Sequence, residues 1–304
     1  MSQARTRVGI VGLGAMGSPM SGCLLRAGFT LHAYDKNEER REAFKAAHQV
    51  VPEESLALIG QNADMILTVL PNSDVVESVL FGEQGLAQHL RPGATIIDMT
   101  SGVPTRTQSF SQRLAEQGVV LFDAPISGGV PRARTGELTI MAGGESQHID
   151  SAMPVLSAMG SIIRTGKVGS GHAMKALNNL VSSAGFLIGI EALIIGTKFG
   201  IDPETMVDVL NSSTGMNNST QKKFKQYVLS RKFDSGFTLG LMAKDLNIAL
   251  GIAHEYDVNA PFADLCRNLW AGAYSVLGAQ ADHTAVTLLS EKLAGLQIGS
   301  EQAP

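Results

Sequence analysis

Apolar residues follow two alternating patterns in the first half of the chain. Short runs rich in β-branched residues, which are typical of buried strands, recur at Val8–Val11, Thr30–Tyr34, Met65–Leu70, Ala94–Asp98, Val119–Phe122, Leu138–Met141 and Ile162–Arg164. Stretches with helical spacing of apolar residues lie between most of them, for example Ala15–Ala27, Asn37–Ala47 and Thr105–Glu116. This alternation predicts βαβ units and a mostly parallel, doubly wound sheet of the Rossmann type.

The strand pattern ends near residue 165, and helical periodicity replaces it. A long apolar helix is predicted near 170–199, followed by helices near 203–211, 217–230, 240–257, 261–278 and 284–296. A glycine-rich segment, 166–171, stands where the pattern changes. We therefore predict an α/β domain over 1–165 and an all-α domain over 166–304, which the long helix opens. A chain of 304 residues has the length of two ordinary domains.

Composition and charge exclude several classes of protein. Hydrophobic residues make up 44% and charged residues 17% of the chain, so wholesale disorder is excluded. The formal net charge of -4 disfavours a dedicated nucleic-acid binder, which usually carries a basic balance. The chain contains two cysteines, which are too few for a disulfide framework or a four-cysteine metal site. No histidine pairs with carboxylates at the spacing of metal ligands. We expect no metal ion and no nucleic-acid partner.

Neither the start of the chain nor its most apolar stretch indicates export or membrane insertion. The apolar run that follows residues 1–7 is too short and too rich in glycine for a signal peptide. The apolar stretch 173–199 contains side chains that are costly in lipid, among them Lys175, Asn178 and Glu191. Few cysteines indicate a reducing compartment. We therefore expect a cytoplasmic protein without a membrane partner.

The sharpest local motif is Gly12-Leu13-Gly14-Ala15-Met16-Gly17, which follows a predicted strand and opens a predicted helix. In a dinucleotide site Gly12 permits the tight turn, Gly14 lets the backbone approach the pyrophosphate, and Gly17 allows helix and strand to pack closely. Asp35 ends the next strand, where a carboxylate accepts hydrogen bonds from the adenosine ribose and repels a 2′-phosphate. NAD is therefore favoured over NADP, although a cation, Lys36, follows directly.

Other strand ends and the long helix supply further polar groups. Leu70-Pro71 and Thr100 stand where predicted strands end, at the edge where ligands bind in open parallel sheets, so we expect cofactor contacts there. The predicted loop Asp123-Ala124-Pro125-Ile126-Ser127-Gly128-Gly129 offers a hydroxyl and exposed backbone N–H groups, which suit a carboxylate. Lys175 and Asn179 lie four residues apart on the long helix and therefore share a face.

In this order and spacing, the segments resemble the β-hydroxyacid dehydrogenase family, the group of 3-hydroxyisobutyrate dehydrogenase and tartronate semialdehyde reductase. The resemblance covers nearly the whole chain. It rests on Gly12–Gly17 with Ser18-Pro19-Met20, on Asp123–Gly129 with Ala133 and Gly136, on Gly169-Ser170-Gly171 with Lys175 and Asn179, and on Lys244-Asp245-Leu246. One position departs mildly, because Ile126 stands where the family often has valine.

The resemblance implies a role for each of these residues. Lys175 would be the general acid/base, and Ser127-Gly128-Gly129 would hold the substrate carboxylate. Asn179 would bind substrate oxygens, Lys244 would approach the cleft and the cofactor from the helical domain, and Thr100 would lie near the nicotinamide ribose. The implied activity is NAD-dependent interconversion of a small 3-hydroxy acid and its semialdehyde or 3-oxo acid. A lysine can take the alcohol proton if burial or a nearby cation lowers its pKa.

Several alternatives stay open. A 6-phosphogluconate dehydrogenase shows Lys-x-x-His-Asn on the long helix, and Asn178 replaces that histidine here, so this activity is disfavoured. Imine reductases share the architecture and usually lack the lysine. An NADP-preferring semialdehyde reductase of the same family is a further possibility. A cofactor-binding sensor without turnover is the alternative from another class, and the presence of Lys175 argues against it.

Three features outside these motifs are interpreted as structural. His172 is one turn before Lys175, and since the lysine already fills the acid/base role we interpret the histidine as structural. The basic run Lys222-Lys223-Phe224-Lys225, with Arg231-Lys232, is interpreted as a solvated face. Small residues on the long helix suit close packing between subunits, so we expect a homodimer or a homotetramer. They are Gly185, Gly189 and Gly196.

Overall fold

A computed structural model describes residues 6–299 of the chain. The interpretation of the chain start also used residues 1–5, which lie outside the described residues. The chain divides into two compact units, Met1–Lys175 and Ala176–Pro304. The boundary at 165/166 precedes this division and stays a prediction.

The first unit is built on an eight-stranded sheet. Its strands are β1 (Arg7–Val11), β2 (Thr30–Tyr34), β3 (Met65–Thr68), β4 (Thr95–Asp98), β5 (Val120–Asp123), β6 (Ile126–Ser127), β7 (Leu138–Gly143) and β8 (Gly160–Gly166). The order across the sheet is β2-β1-β3-β4-β5-β7-β6, with β8 beside β7. Strands β1 to β5 pair in parallel, which confirms the predicted doubly wound sheet, whereas β7 runs antiparallel to β5 and β6. The direction in which successive strands are added to the sheet reverses at β1. Open parallel sheets bind ligands at the carboxyl ends of the strands next to such a reversal.

Helices cover both faces of this sheet. They are α1 (Gly17–Arg26), α2 (Glu38–His48), α3 (Leu56–Asn62), α4 (Ser73–Phe81), α5 (Pro104–Ala115), α6 (Gly129–Thr135) and α7 (Ser146–Ser157). Successive strand residues pack into different apolar clusters: Ile10 and Leu67 belong to one, Val11 and Ile66 to the other. Because strand side chains alternate between faces, two cores require helices on both sides, as the continuous apolar runs of the sequence predict.

The second unit is helical. Its elements are the continuation of α8 (Ser170–Phe199), then α9 (Pro203–Asn211), α10 (Asn218–Lys222), a π-helical segment (Phe224–Leu229), α11 (Leu239–Glu255), α12 (Pro261–Leu277), a 3-10 turn (His283–Ala285) and α13 (Val286–Ala294). Phe186, Phe224 and Trp270 are fully buried in its core. The predicted Rossmann-type domain followed by an all-α domain is therefore confirmed.

Two expectations for the second unit need correction. The single helix predicted over 217–230 is divided into α10 and the π-helical segment. The basic run is not a solvated face throughout. The amine of Lys223 lies 2.9 Å from His283 Nε2, and Arg231 pairs with the buried Glu291 at 2.5 Å. Buried partners on neighbouring elements draw these two cations inward, an effect that a single helix pattern does not reveal.

Helix α8 is long and apolar enough to cross a bilayer by length and composition, with a mean hydropathy of 1.8 in its most apolar window. Of that window, 44% is buried within the protein. The core helix of a soluble protein passes the same test, so composition here does not indicate a membrane span.

Candidate active site

The glycine-rich loop between β1 and α1 combines a tight turn with an open approach. Gly12 has φ +103, and a Cβ there would lie 2.2 Å from the carbonyl oxygen of Val69. A Cβ on Gly17 would lie 1.8 Å from the carbonyl oxygen of Gly12. At Gly14 the nearest atom to a Cβ is Arg40 Nη1, at 3.8 Å. Two glycines are therefore required by packing and the third leaves room, as a dinucleotide pyrophosphate needs.

Asp35, at the end of β2, braces this loop. Its Oδ2 accepts a hydrogen bond from the Leu13 N–H at 2.8 Å, and its Oδ1 accepts one from the Asn37 N–H at 2.9 Å. Arg40 Nη1 lies 3.6 Å from Oδ2. Because each carboxylate oxygen can accept a second hydrogen bond, Asp35 retains acceptor capacity for a ribose hydroxyl. The negative charge is partly balanced by the arginine.

The predicted cofactor contacts at the ends of β3 and β4 are brought together. The Leu70 N–H donates to the Thr100 hydroxyl at 3.1 Å, and a Cβ on Gly12 would lie 3.2 Å from Leu70 Cδ2. Asp98 Oδ1 accepts hydrogen bonds from the Thr68 hydroxyl at 2.8 Å and from the Thr100 N–H at 3.1 Å. The glycine loop and the two strand ends thus lie next to one another. Pro71 is exposed next to Leu70.

Asp123 links the end of β5 to the first turn of α8. Its carboxylate accepts hydrogen bonds from the backbone N–H of Gly169, at 2.6 Å, and of His172, at 2.8 Å. A carboxylate at a helix N-terminus satisfies N–H groups that lack partners within the helix. Burial raises the pKa of Asp123, while His172 and the N–H donors act in the opposite direction. Lys175, half-buried, lies on the helix that this carboxylate caps.

The predicted carboxylate cradle follows Asp123 directly. Ile126 and Ser127 form β6, paired with Ile140 and Thr139 of β7, where the sequence predicted a loop. This correction has a simple cause, since the antiparallel β7 offers an edge that two extended residues can join. Gly128 and Gly129 have φ +135 and +69 and are exposed, and α6 begins at Gly129. Left-handed backbone of this kind favours glycine and leaves the N–H groups accessible.

In the second unit, Asn179 and Lys244 both approach Asp245. Asn179 Nδ2 donates to Asp245 Oδ2 at 2.5 Å, and Lys244 Nζ lies 3.4 Å from Asp245 Oδ1. Asn179 and Asp245 are 7% and 2% exposed, so water hardly competes for these contacts. Asp245 therefore orients the Asn179 amide, a role that sequence reasoning missed even though the residue is adjacent to Lys244.

Three further buried polar residues of the first unit were not predicted as site residues. Asp98 and Asp123 each end a buried strand, which is the position that signals such a role. His172 is buried between them: its backbone N–H donates to Asp123, and its ring lies beside Asp98. Among the described residues 6–299, no group of three or more His, Cys, Asp or Glu could hold a metal ion.

Comparison with family models matches both parts of the chain. Residues 7–169 match the NAD binding domain of 6-phosphogluconate dehydrogenase. Residues 169–289 match the NAD-binding domain of NADP-dependent 3-hydroxyisobutyrate dehydrogenase. The two matches meet at residue 169, at the start of α8.

Curated relatives and solved structures span nearly the full length. The chain is 34% identical over 297 residues to 2-(hydroxymethyl)glutarate dehydrogenase of Eubacterium barkeri, covering 97% of this chain and 98% of the relative. It is 32% identical over 289 residues to 2-hydroxy-3-oxopropionate reductase of Escherichia coli, covering 95% and 98%. The structure of Mycobacterium tuberculosis 3-hydroxyisobutyrate dehydrogenase with L-serine superposes with a TM-score of 0.86 at 28% identity, covering 94% and 99%.

Proposed function

The chain belongs to the β-hydroxyacid dehydrogenase family and is a hydroxyacid dehydrogenase, and on that premise we propose that it interconverts a small 3-hydroxy acid and its semialdehyde or 3-oxo acid with NAD, using Lys175 as general acid/base. The observation that carries this proposal is the position of Asp123. Its carboxylate caps the helix that bears Lys175, and its backbone leads into Ser127-Gly128-Gly129. One buried group thus connects the proposed proton carrier with the proposed carboxylate cradle.

The proposed chemistry separates a hydride from a proton. When bound, the nicotinamide cofactor supplies the hydride acceptor for the carbinol carbon. The amine of Lys175 takes the proton from the substrate hydroxyl, so the C–O bond becomes a carbonyl and no charge is left on oxygen. In the reverse direction the Lys175 ammonium donates that proton to the carbonyl oxygen. A positioned group of this kind contributes roughly 10²–10⁴-fold to the rate.

Substrate recognition is assigned to five residues. The backbone N–H groups of Gly128 and Gly129, with the Ser127 hydroxyl, hold the carboxylate. Asn179 holds a substrate oxygen through the part of its amide that does not donate to Asp245. Lys244, whose amine is mostly buried next to Asp245, adds positive charge for the substrate or cofactor. A fixed amide discriminates better than a mobile one because its entropy is already lost.

NAD is the proposed cofactor because Asp35 directly follows β2 and keeps acceptor capacity for the adenosine ribose. Two arginines weaken this preference: Arg40 lies 3.6 Å from the Asp35 carboxylate, and Arg41 Nη1 donates to the Asp35 carbonyl at 2.8 Å. Lys36 is exposed beside them. These cations offer partners to a 2′-phosphate, so we expect measurable activity with NADP, at lower kcat/KM than with NAD.

The substrate is best identified by a panel assay. The two curated relatives described above differ in their named substrates at nearly the same identity to this chain, so identity does not select one. NAD and NADP reduction, followed by the absorbance of the reduced cofactor, should be measured with hydroxyisobutyrate, glycerate, threonate, serine, a sulfonate analogue and 2-(hydroxymethyl)glutarate. Turnover with at least one 3-hydroxy acid supports the proposal. Tight NAD binding without turnover on any of them would instead favour a sensor.

Assembly and location belong to the same proposal. The three small residues of α8 do not support packing between subunits as expected, because a Cβ on Gly185, Gly189 or Gly196 would meet Asn217, Phe224 or Met206 of the same chain. Apolar side chains at seven-residue spacing on α8 are exposed: Val181 by 73%, Ile188 by 56% and Ile195 by 69%. We propose that a second copy of the chain covers this row in a homodimer or homotetramer, since several large apolar side chains exposed along one helix mark an interaction surface. Light scattering on the wild type and on Ile188→Glu tests this, because the charge should dissociate the assembly. We also propose a cytoplasmic location.

A further inference from the structure

A buried histidine that the proposed chemistry does not use lies one turn before Lys175. The ring of His172 is fully buried, and its Nδ1 lies 2.8 Å from the Thr107 hydroxyl. Its Nε2 is buried without a hydrogen-bond partner and lies 3.9 Å from Asp98 Oδ2. Buried polar atoms are nearly always paired, so an orphaned ring nitrogen beside a buried carboxylate needs an explanation.

The hydrogen bond at Nδ1 limits which nitrogens of the His172 ring can carry a hydrogen. The Thr107 hydroxyl has one hydrogen to donate, and it lies 3.2 Å from the Val103 carbonyl as well as near Nδ1. If the hydrogen goes to Nδ1, the neutral ring carries its own hydrogen on Nε2. If it goes to Val103, Nδ1 must donate, and a bare Nε2 would then face the carboxylate of Asp98 unless the ring holds a second proton. Every arrangement without that repulsion puts a hydrogen on Nε2, facing Asp98.

Asp98 connects the ring to the predicted cofactor contacts. Its other oxygen, Oδ1, accepts from the Thr68 hydroxyl and from the Thr100 N–H. The Thr100 hydroxyl in turn accepts from the Leu70 N–H. A chain of buried polar contacts therefore runs from the first turn of α8 to the ends of β3 and β4.

The backbone beyond Thr100 also packs directly on the ring. A Cβ on Gly102 would lie 2.9 Å from His172 Cε1 and 3.0 Å from Nδ1. On its other side, the backbone N–H of His172 donates to Asp123. The histidine is thus held by helix α5, by the end of β4 with the loop that follows it, and by the end of β5, which fixes both the ring and the helical turn that bears it.

We propose that His172 is a positioning residue: its Nε2–H and the Asp98 carboxylate form a buried pair that fixes the first turn of α8, and with it Lys175, relative to the strand ends that carry Leu70 and Thr100. The inference rests on the proposed function, in which Lys175 moves the substrate proton. Lys175 lies only three residues on, roughly 4.5 Å along the helix axis. A displacement of about 1 Å in a reacting group can lower a rate on the order of a hundredfold.

Kinetics on matched variants test the proposal. His172→Leu removes both ring nitrogens, His172→Gln keeps one donor and one acceptor, and His254→Leu changes an exposed histidine on α11 as a control. We expect His172→Leu to lower kcat by about 10- to 100-fold while the KM for NAD changes by less than about 3-fold. His172→Gln should recover most of kcat, and the control should match the wild type. In a Lys175→Ala background, adding His172→Leu should lower the residual rate by less than about 2-fold, because the two changes act on one group.

A second readout needs no activity. Competitive acetylation of the cofactor-free protein, followed by mass spectrometry of peptides, reports the reactivity of the Lys175 amine against pH. We expect this reactivity to change by about 3-fold or more in His172→Leu, to return toward the wild-type value in His172→Gln, and to stay constant at the exposed Lys45. If His172→Leu does not fold, Asp98→Asn replaces it, since the amide oxygen still accepts from Thr68 and Thr100 while the charge facing His172 is lost.

The outcomes separate the inference from the proposed function. Wild-type kcat and wild-type Lys175 labelling in His172→Leu, or in Asp98→Asn, overturn the positioning role. Equal loss of kcat in the Leu and Gln variants, with labelling unchanged, also overturns it, because that result indicates packing alone. Full turnover in Lys175→Ala overturns the proposed function instead, whatever the His172 variants show.

Discussion

The glycine loop makes a prediction that separates a packing glycine from a binding glycine. At Gly12 an added methyl group would lie 2.2 Å from the Val69 carbonyl oxygen, on a backbone with φ +103. Strain of this kind costs about 1–3 kcal/mol. Overpacking costs about as much again. We therefore expect Gly12→Ala to destabilise the fold by about 2–6 kcal/mol, seen as a fall in the melting temperature of roughly 4–24 °C.

Gly14→Ala should instead preserve the stability of the fold and weaken NAD binding. The nearest atom to its methyl group is Arg40 Nη1 at 3.8 Å, and the backbone is not left-handed. Alanine there restricts the unfolded chain, so stability should stay equal or rise by up to about 1 kcal/mol. The methyl group does, however, occupy the space through which the pyrophosphate approaches. A clash of about 1–3 kcal/mol weakens NAD binding by roughly 5- to 150-fold.

Differential scanning calorimetry and isothermal titration with NAD check both variants. Wild type should show a clear NAD-dependent rise in melting temperature, since ligand at 100 times its Kd adds about 2.7 kcal/mol. Gly14→Ala should keep or slightly exceed the cofactor-free melting temperature of the wild type, and should show a smaller rise at the same NAD concentration. Wild-type NAD affinity in Gly14→Ala, or an unchanged melting temperature in Gly12→Ala, would refute the reasoning.

Three further predictions concern other charged groups. Asp35→Ala should lower kcat/KM with NAD by about tenfold through a lost charge-assisted hydrogen bond, and Arg40→Gln should reduce activity with NADP more than with NAD; steady-state kinetics with both cofactors measure the ratio. Asp245→Ala removes the acceptor of Asn179 and should lower kcat/KM for the hydroxy acid by about 10- to 100-fold at unchanged NAD affinity in a titration. Burial lowers the pKa of Lys223 from 10.5 to about 8, so the unfolded chain binds more protons between these values and folding stability rises with pH. Relative to Lys223→Met, the wild type should therefore gain about 2 kcal/mol of unfolding free energy in urea between about pH 7.5 and 9.5, and a constant difference would contradict the shift.

Much of the α/β half is predictable because its strands are short, buried and bounded by turn residues. Each predicted run overlaps an observed strand, and the glycine motif lies at the turn where it was expected. Strand β6 escapes prediction, since two residues carry no periodicity and pair only because β7 offers them an edge. Likewise, the π-helical segment at 224–229 has the apolar spacing of an α-helix, so the pattern does not distinguish the two.

Residues of the candidate site also divide into those that the local sequence reveals and those that it does not. Residues that act through backbone conformation, such as Gly12 and Gly17, are evident from local sequence because no other residue fits. Asp123 and Asp245 are different, since the Gly169 N–H and the Asn179 amide that donate to them lie 46 and 66 residues away along the chain. No local spacing indicates those contacts. From the sequence, His172 is interpreted as structural because Lys175 already fills the acid/base role. The burial of its ring beside Asp98, on which the proposed positioning role rests, leaves no signal in local spacing.

The central claim is that the Lys175 amine moves the substrate proton. Its most direct test is a single-turnover measurement of hydride transfer in Lys175→Met, with the best substrate of the panel and saturating NAD. We predict that the transfer rate falls by about 10²- to 10⁴-fold while the Kd for NAD stays within about 3-fold of the wild type. Hydride transfer at the wild-type rate in this variant would contradict the account.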